Sequence, residues 1–211
     1  MMNKGIIFDL DGTLWDSSKE VVDSWNIALE RFNDVDFRLT DEDMQGFMGK
    51  TIDEISRMLF SDKSDERRQE IINECMIEED KYLRQHGGTL YPKLEETIKE
   101  LFQNYKLFIV SNCQEGYIET FLEYTNLGKY FIDFENAGRT KKSKGENIKL
   151  VVERNNLEKA VYVGDIQGDY EATKLAGVPF IHAKYGFGQI NEETYFINEI
   201  SELPALVKNI L

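Results

Sequence analysis

Hydrophobic positions along the chain follow two rhythms. Short continuous apolar runs read as buried strands: Gly5 to Phe8, Leu107 to Val110, Phe131 to Phe134, Ala160 to Val163 and Val178 to Ile181. Between the later runs, apolar residues recur at helical spacing. Leu94, Ile98, Leu101 and Phe102 share one face, and Tyr117, Phe121, Leu122 and Tyr124 a second. Ile148, Val151 and Val152 mark a third helix. Ala172, Leu175 and Ala176 mark a fourth, stopped by Gly177. Strand alternating with helix predicts an α/β fold, its parallel sheet covered on both faces.

Between the first run and about residue 90 the alternation stops and the chain reads as all helical. Val21, Trp25, Ala28, Leu29 and Phe32 form one helical stripe, with Asp16 and Ser17 as cap candidates before it. Thr40 and Thr51 start two shorter helices. Asp65 starts a long one, with Ile72, Cys75, Met76, Tyr82 and Leu83 on its buried side, ended by His86-Gly87-Gly88. The simplest organisation is a core of residues 1–14 and 88–211, with a helical unit of residues 15–87 inserted after the first strand. Insertions beside strand ends often cover a site.

Two of the apolar runs end in acids. The first continues Asp9-Leu10-Asp11-Gly12-Thr13-Leu14, and in open parallel sheets ligands bind just beyond the carboxyl ends of strands. Two carboxylates at such an end can converge on one cation. The fourth run continues Gly164-Asp165-Ile166-Gln167-Gly168-Asp169, a second acid pair at i and i+4. The second run ends in Ser111-Asn112, whose hydroxyl and following backbone N–H groups suit a phosphate oxygen. A basic run, Arg139-Thr140-Lys141-Lys142-Ser143-Lys144-Gly145, precedes a helix start.

These four motifs, in this order, resemble those of the haloacid dehalogenase-like hydrolases, most of which are Mg2+-dependent phosphatases. The helical insertion resembles the cap of the phosphoglycolate phosphatase and β-phosphoglucomutase branch. The resemblance implies a Rossmann-like core with an inserted all-helical cap. It implies that Asp9 is the nucleophile, forming an aspartyl-phosphate, and that Asp11 is the general acid and then the base. Asp9 and Asp165 side chains and the Asp11 backbone carbonyl would hold Mg2+, with Asp169 behind them holding a metal-bound water or capping its helix. Ser111, the backbone around Leu10, Gly12 and Asn112, and one lysine would bind the phosphoryl oxygens. The family's lysine is usually followed by proline, which this run lacks; Lys144 is preferred for its place at the helix start, with Lys142 the alternative. Asp11 favours phosphoryl transfer, because dehalogenases of the family lack this second acid. In the Gly46–Thr51 segment, Gly49 suits a tight turn, and Lys50 either meets an anionic substrate group or is a plain exposed lysine.

Composition narrows the partners. The chain has 211 residues and a net charge of −14, which argues against nucleic acid or an anionic membrane surface and leaves a small phosphorylated metabolite. Two cysteines, Cys75 and Cys113, fall in different units, so a disulfide is not expected. Neither His86 nor His182 marks Cys113 as a nucleophile. The absence of a leader pattern and of a long apolar stretch points to the cytoplasm. Three functions remain open: a phosphatase for a small phosphate monoester such as phosphoglycolate, a phosphosugar mutase of the β-phosphoglucomutase type, and a non-catalytic binding module on the same scaffold.

Overall fold

The computed structural model describes residues 3–211. The chain runs β1 (Lys4–Phe8), β2 (Trp15–Asp16), α1 (Ser18–Leu29), α2 (Asp41–Phe47), α3 (Ile52–Leu59), α4 (Asp65–His86), β3 (Thr89–Leu90), α5 (Leu94–Phe102) and β4 (Lys106–Ser111). It continues α6 (Tyr117–Thr125), β5 (Phe131–Asn136), α7 (Ala137–Thr140), α8 (Lys144–Arg154), β6 (Lys159–Gly164), α9 (Gln167–Ala176), β7 (Phe180–Ala183), β8 (Tyr195–Ile197) and α10 (Leu203–Ile210).

Six strands form one parallel sheet in the order β5-β4-β1-β6-β7-β8. The pleat divides the apolar runs between two faces. Ile6, Phe8, Ile109, Val161 and Val163 pack under α5, α6 and α10, while Ile7, Phe108, Val110 and Tyr162 pack under α8 and α9. Both faces are covered, which is why these strands read as continuous rather than alternating. Burying each such side chain contributes about 2 kcal/mol.

The helices α1 to α4 lie between β1 and the rest of the sheet in sequence, and they pack on one another. Thr40, Thr51 and Ser64 cap α2, α3 and α4 with side-chain oxygens, and Thr40 and Thr51 close reciprocal capping boxes with Asp43 and Glu54. Each such cap is worth about 1 kcal/mol. Ser17 precedes α1 but makes no cap bond; its hydroxyl donates to Asp11 instead, and Asp16 takes the Ser18 N–H. The two crossings that join these helices to the sheet pair as an antiparallel ribbon, β2 with β3, through Trp15↔Leu90 and Asp16↔Thr89.

Several sequence expectations shift. Phe102, Tyr124 and Leu175 share the apolar faces in sequence but are 41%, 46% and 52% exposed, because each lies at or beyond the edge of its helix's apolar stripe. Met76 and Tyr82 on α4 are only half-buried, while Glu78 and Glu79 are buried. Gly46 lies inside α2, so the connection to α3 is only Met48 to Thr51. The strand expected from Val178 starts at Phe180, since Pro179 lacks an N–H. The ribbon and the short edge strand β8 carry too little apolar pattern to stand out in the sequence.

Candidate active site

Three neighbouring strands, β4, β1 and β6, end side by side. The ladder between β1 and β6 continues one step past Phe8, as Asp9 N–H donates to Val163 C=O at 2.8 Å. This places Asp9 at the tip of one strand next to the tip that carries Asp165. Ser111 ends β4 on the other side and is buried.

Lys144 stands at the first position of α8, where Ser143 and Glu146 form a capping box that fixes the helix start. Its ammonium is buried between two carboxylates, 3.0 Å from Asp9 Oδ1 and 2.6 Å from Asp169 Oδ1. Lys142, the alternative, is exposed. Asp169 is in the first turn of α9, and its Oδ2 accepts the N–H groups of Asp165 (3.0 Å) and Ile166 (3.2 Å). Asp169 is therefore fully occupied as helix cap and lysine partner. Asp165 Oδ2 accepts the Phe187 N–H at 2.8 Å. Glycines let the chain close around this carboxylate. A Cβ on Gly12, whose φ is +81°, would lie 2.1 Å from Asp165 Oδ2, and one on Gly186 2.3 Å from Asp165 Cβ.

Asp9, Asp165 and Asp169 are all buried and bring one oxygen each within 4.8 Å of one another. Against three acids stands one lysine. Burial, then the charge of Asp169, pushes Asp9 up to about 7 even though Lys144 pulls it down. Burial also raises Asp165 well above the usual carboxylate range, with Asp169 and Asp9 adding to it. Burial works against the charged form of Lys144, yet Asp169 and Asp9 outweigh it and raise its pKa. A divalent cation would relieve this excess of negative charge, and an all-oxygen donor set suits a small hard one. The residues present fit such an ion.

The Asp11 side chain turns aside from this trio. Its Oδ1 accepts from Trp15 Nε1 (2.9 Å), Ser17 Oγ (2.9 Å) and Tyr117 OH (2.8 Å). Burial raises its pKa, and these three donors oppose the rise. Gly12 N–H is committed to Trp15 C=O at 2.9 Å, and Leu10 C=O takes the Leu14 N–H at 2.8 Å, so this segment is a tight turn carrying both acids. The Asn112 side chain reaches the α2–α3 connection, donating to Gly49 C=O at 2.8 Å. Gly49 there has φ +75°, and a Cβ would lie 1.9 Å from Ile166 Cδ1. Lys50 beside it is exposed.

Asp9, Asp11, Ser111, Lys144 and Asp165 border one cavity of about 80 Å3, whose lining also includes Val21, Trp25, Met44, Phe47 and Glu79. Cys113 also borders it, but burial raises its thiol well above the ordinary value, with Asp11 and Asp9 adding to that, so a thiolate is disfavoured. Sequence reasoning missed Tyr117, Ser17, Glu79 and the Gly186-Phe187-Gly188 loop. Only the loop left a signal, a Gly-x-Gly just after a strand.

Residues 6–183 match the family model described as haloacid dehalogenase-like hydrolase. A phosphoglycolate phosphatase from Aquifex aeolicus is 27% identical, the alignment covering 97% of this chain and 96% of the relative. The pyrophosphatase PpaX of Listeria monocytogenes is also 27% identical, at the same coverage. Among solved structures, a haloacid dehalogenase-like family hydrolase from Streptococcus pneumoniae shares the fold. Its TM-score is 0.78 at 21% identity, with 97% of this chain and 98% of that one covered. Among the described residues no helix is long and apolar enough to cross a membrane.

Proposed function

The chain belongs to the haloacid dehalogenase-like hydrolase family, and from that premise we propose that it is a Mg2+-dependent phosphatase of small phosphate monoesters acting through an aspartyl-phosphate. The observation that carries this is the buried Asp9–Lys144 ion pair beside Asp165, on the border of a cavity that also holds Asp11 and Ser111. One of the two relatives described above is named a phosphoglycolate phosphatase, which supports a small phosphate monoester, and the other a pyrophosphatase, which supports phosphoryl transfer to water.

In this proposal Asp9 attacks phosphorus in line with the bond to the leaving alkoxide. The P–O bond to the alcohol breaks, and Asp11 gives the alkoxide its proton. Asp11 then takes a proton from water, whose oxygen attacks the acyl phosphate and frees Asp9 and inorganic phosphate. Lys144 pulls Asp9 toward its ionised form and offsets phosphoryl charge, with Ser111 and the backbone at Leu10 and Asn112 on the phosphoryl oxygens. The side chains of Asp9 and Asp165 and the Asp11 carbonyl would hold Mg2+, with Asp169 behind them; bound there, the ion separates the charges of carboxylate and phosphate. The helices α1 to α4 act as a cap whose Met48–Thr51 connection closes over the site.

The test is phosphate release from a panel of phosphorylated metabolites, phosphoglycolate included, with Mg2+ and with EDTA. The expected result is Mg2+-dependent release that Asp9→Asn lowers by ~1,000-fold or more while the protein stays folded. Wild-type turnover by Asp9→Asn would refute the nucleophile. Isomerisation of hexose 1-phosphates without phosphate release would mark the mutase instead.

A further inference from the structure

The cavity lining carries one buried charge that the chemistry above does not use. Glu79 sits on the buried stripe of α4 with Ile72, Cys75 and Leu83 and is 2% exposed. Its carboxylate accepts from Trp25 Nε1 and from Gln114 Nε2, the latter at 2.5 Å. Both partners are neutral donors. Among the described residues no lysine or arginine lies within 4.0 Å of it, although its neighbour on the helix, Glu78, is paired with Arg31 and Lys81. A buried carboxylate without a counter-charge is costly, and one left so beside a cavity needs explaining.

Val21, Trp25, Met44, Phe47 and Ile55 make part of the lining apolar and aromatic, and the neutral polar side chains Ser17, Tyr117, Gln114 and Asn112 are already bonded to Asp11, Glu79 and the Gly49 carbonyl. Such a lining offers few partners to a polyol. It does fit a short methylene chain ending in a cation, because aromatic rings attract ammonium groups and repel carboxylates. Lys50 also borders the cavity, but it is exposed, where its charge is screened by water and salt; the charge of Glu79 is not.

We propose that Glu79 is a specificity residue that pairs with an ammonium group on the leaving alcohol, so that the preferred substrates are phosphate esters of small amino alcohols rather than of hydroxy acids. The proposal rests on the phosphatase assignment and refines it. Burial, with Asp11 and Asp80 adding to it, pushes Glu79 up to about 7; an arriving ammonium would favour the ionised form and gain most from it.

Phosphoethanolamine and phosphoglycolate make a matched pair of probes: two-carbon leaving groups of opposite charge. With Mg2+, the wild-type enzyme is expected to show kcat/KM for phosphoethanolamine at least ~10-fold above that for phosphoglycolate. Glu79→Gln, which keeps the shape and removes the charge, is expected to bring that ratio to within about threefold of unity. Equal or reversed preference in the wild type overturns the inference and leaves the phosphatase assignment standing. So does a preference that Glu79→Gln does not move, or turnover of p-nitrophenyl phosphate without turnover of phosphoethanolamine. Turnover of none of the three esters takes down the phosphatase assignment and this inference with it.

Discussion

Replacing Lys144 with methionine tests the centre of the site without any substrate. The side chain is buried, and its ammonium lies 3.0 Å from Asp9 and 2.6 Å from Asp169. Methionine fills much of the same volume but leaves two acids facing each other with Asp165 beside them. Breaking a buried pair by removing one partner typically costs about 3–5 kcal/mol. For a chain of this length each kcal/mol moves Tm by roughly 2–4 °C, so Lys144→Met in EDTA should melt on the order of 10 °C below wild type. The deficit should also depend on pH. Asp9 stands at about 7 with the lysine present, and losing the lysine moves it higher. A carboxyl whose folded pKa lies above its unfolded value binds more protons folded than unfolded, so stability falls as pH rises between the two. The loss in Lys144→Met should therefore be larger at pH 8 than at pH 5. The measurement is calorimetric or circular-dichroism unfolding at both pH values. A Tm within about 2 °C of wild type at pH 8, or a deficit that does not shrink in acid, would refute the buried-pair account.

Two further outcomes follow from the geometry. Glu79 is fully buried and moves from 4.5 to about 7, so ionising it weakens the fold by up to about 3 kcal/mol as pH rises through that interval; Glu79→Gln should gain on wild type between pH 5 and pH 8 in denaturant titrations, and a constant gap would disprove it. Gly12→Ala places a Cβ 2.1 Å from Asp165 Oδ2 at a φ of +81°, so the Mg2+ concentration for half-maximal activity should rise by ~10-fold or more, and an unchanged requirement would detach Gly12 from the cation site.

Much of the fold was legible because its strands are buried on both faces. Runs such as Ile6-Ile7-Phe8 and Val161-Tyr162-Val163 have no other good explanation, and the acids that end them inherit a position from the strand. Strand order was not legible. That β1 lies between β4 and β6, which brings Ser111, Asp9 and Asp165 to one edge, depends on long-range packing that no local pattern encodes. Lys144 could be singled out only because a helix start fixes one residue of the basic run. Glu79 escaped notice for a physical reason: glutamate on a helix is normally exposed, and its place on the stripe of Ile72, Cys75 and Leu83 matters only once Trp25 and Gln114 are seen to approach it. Tyr117 escaped because a tyrosine beside Phe121 on a helix reads as core, and its hydroxyl's reach to Asp11 spans 106 residues.

The β2–β3 ribbon has a consequence for the acid it adjoins. Trp15 belongs to the ribbon and Ser17 follows it, and both donate to Asp11, while the third donor, Tyr117, belongs to α6. Two of the three anchors thus travel with the strap and one stays with the platform. Any rotation of the ribbon against α6 would have to stretch at least one of these three hydrogen bonds, and with it the hold on Asp11.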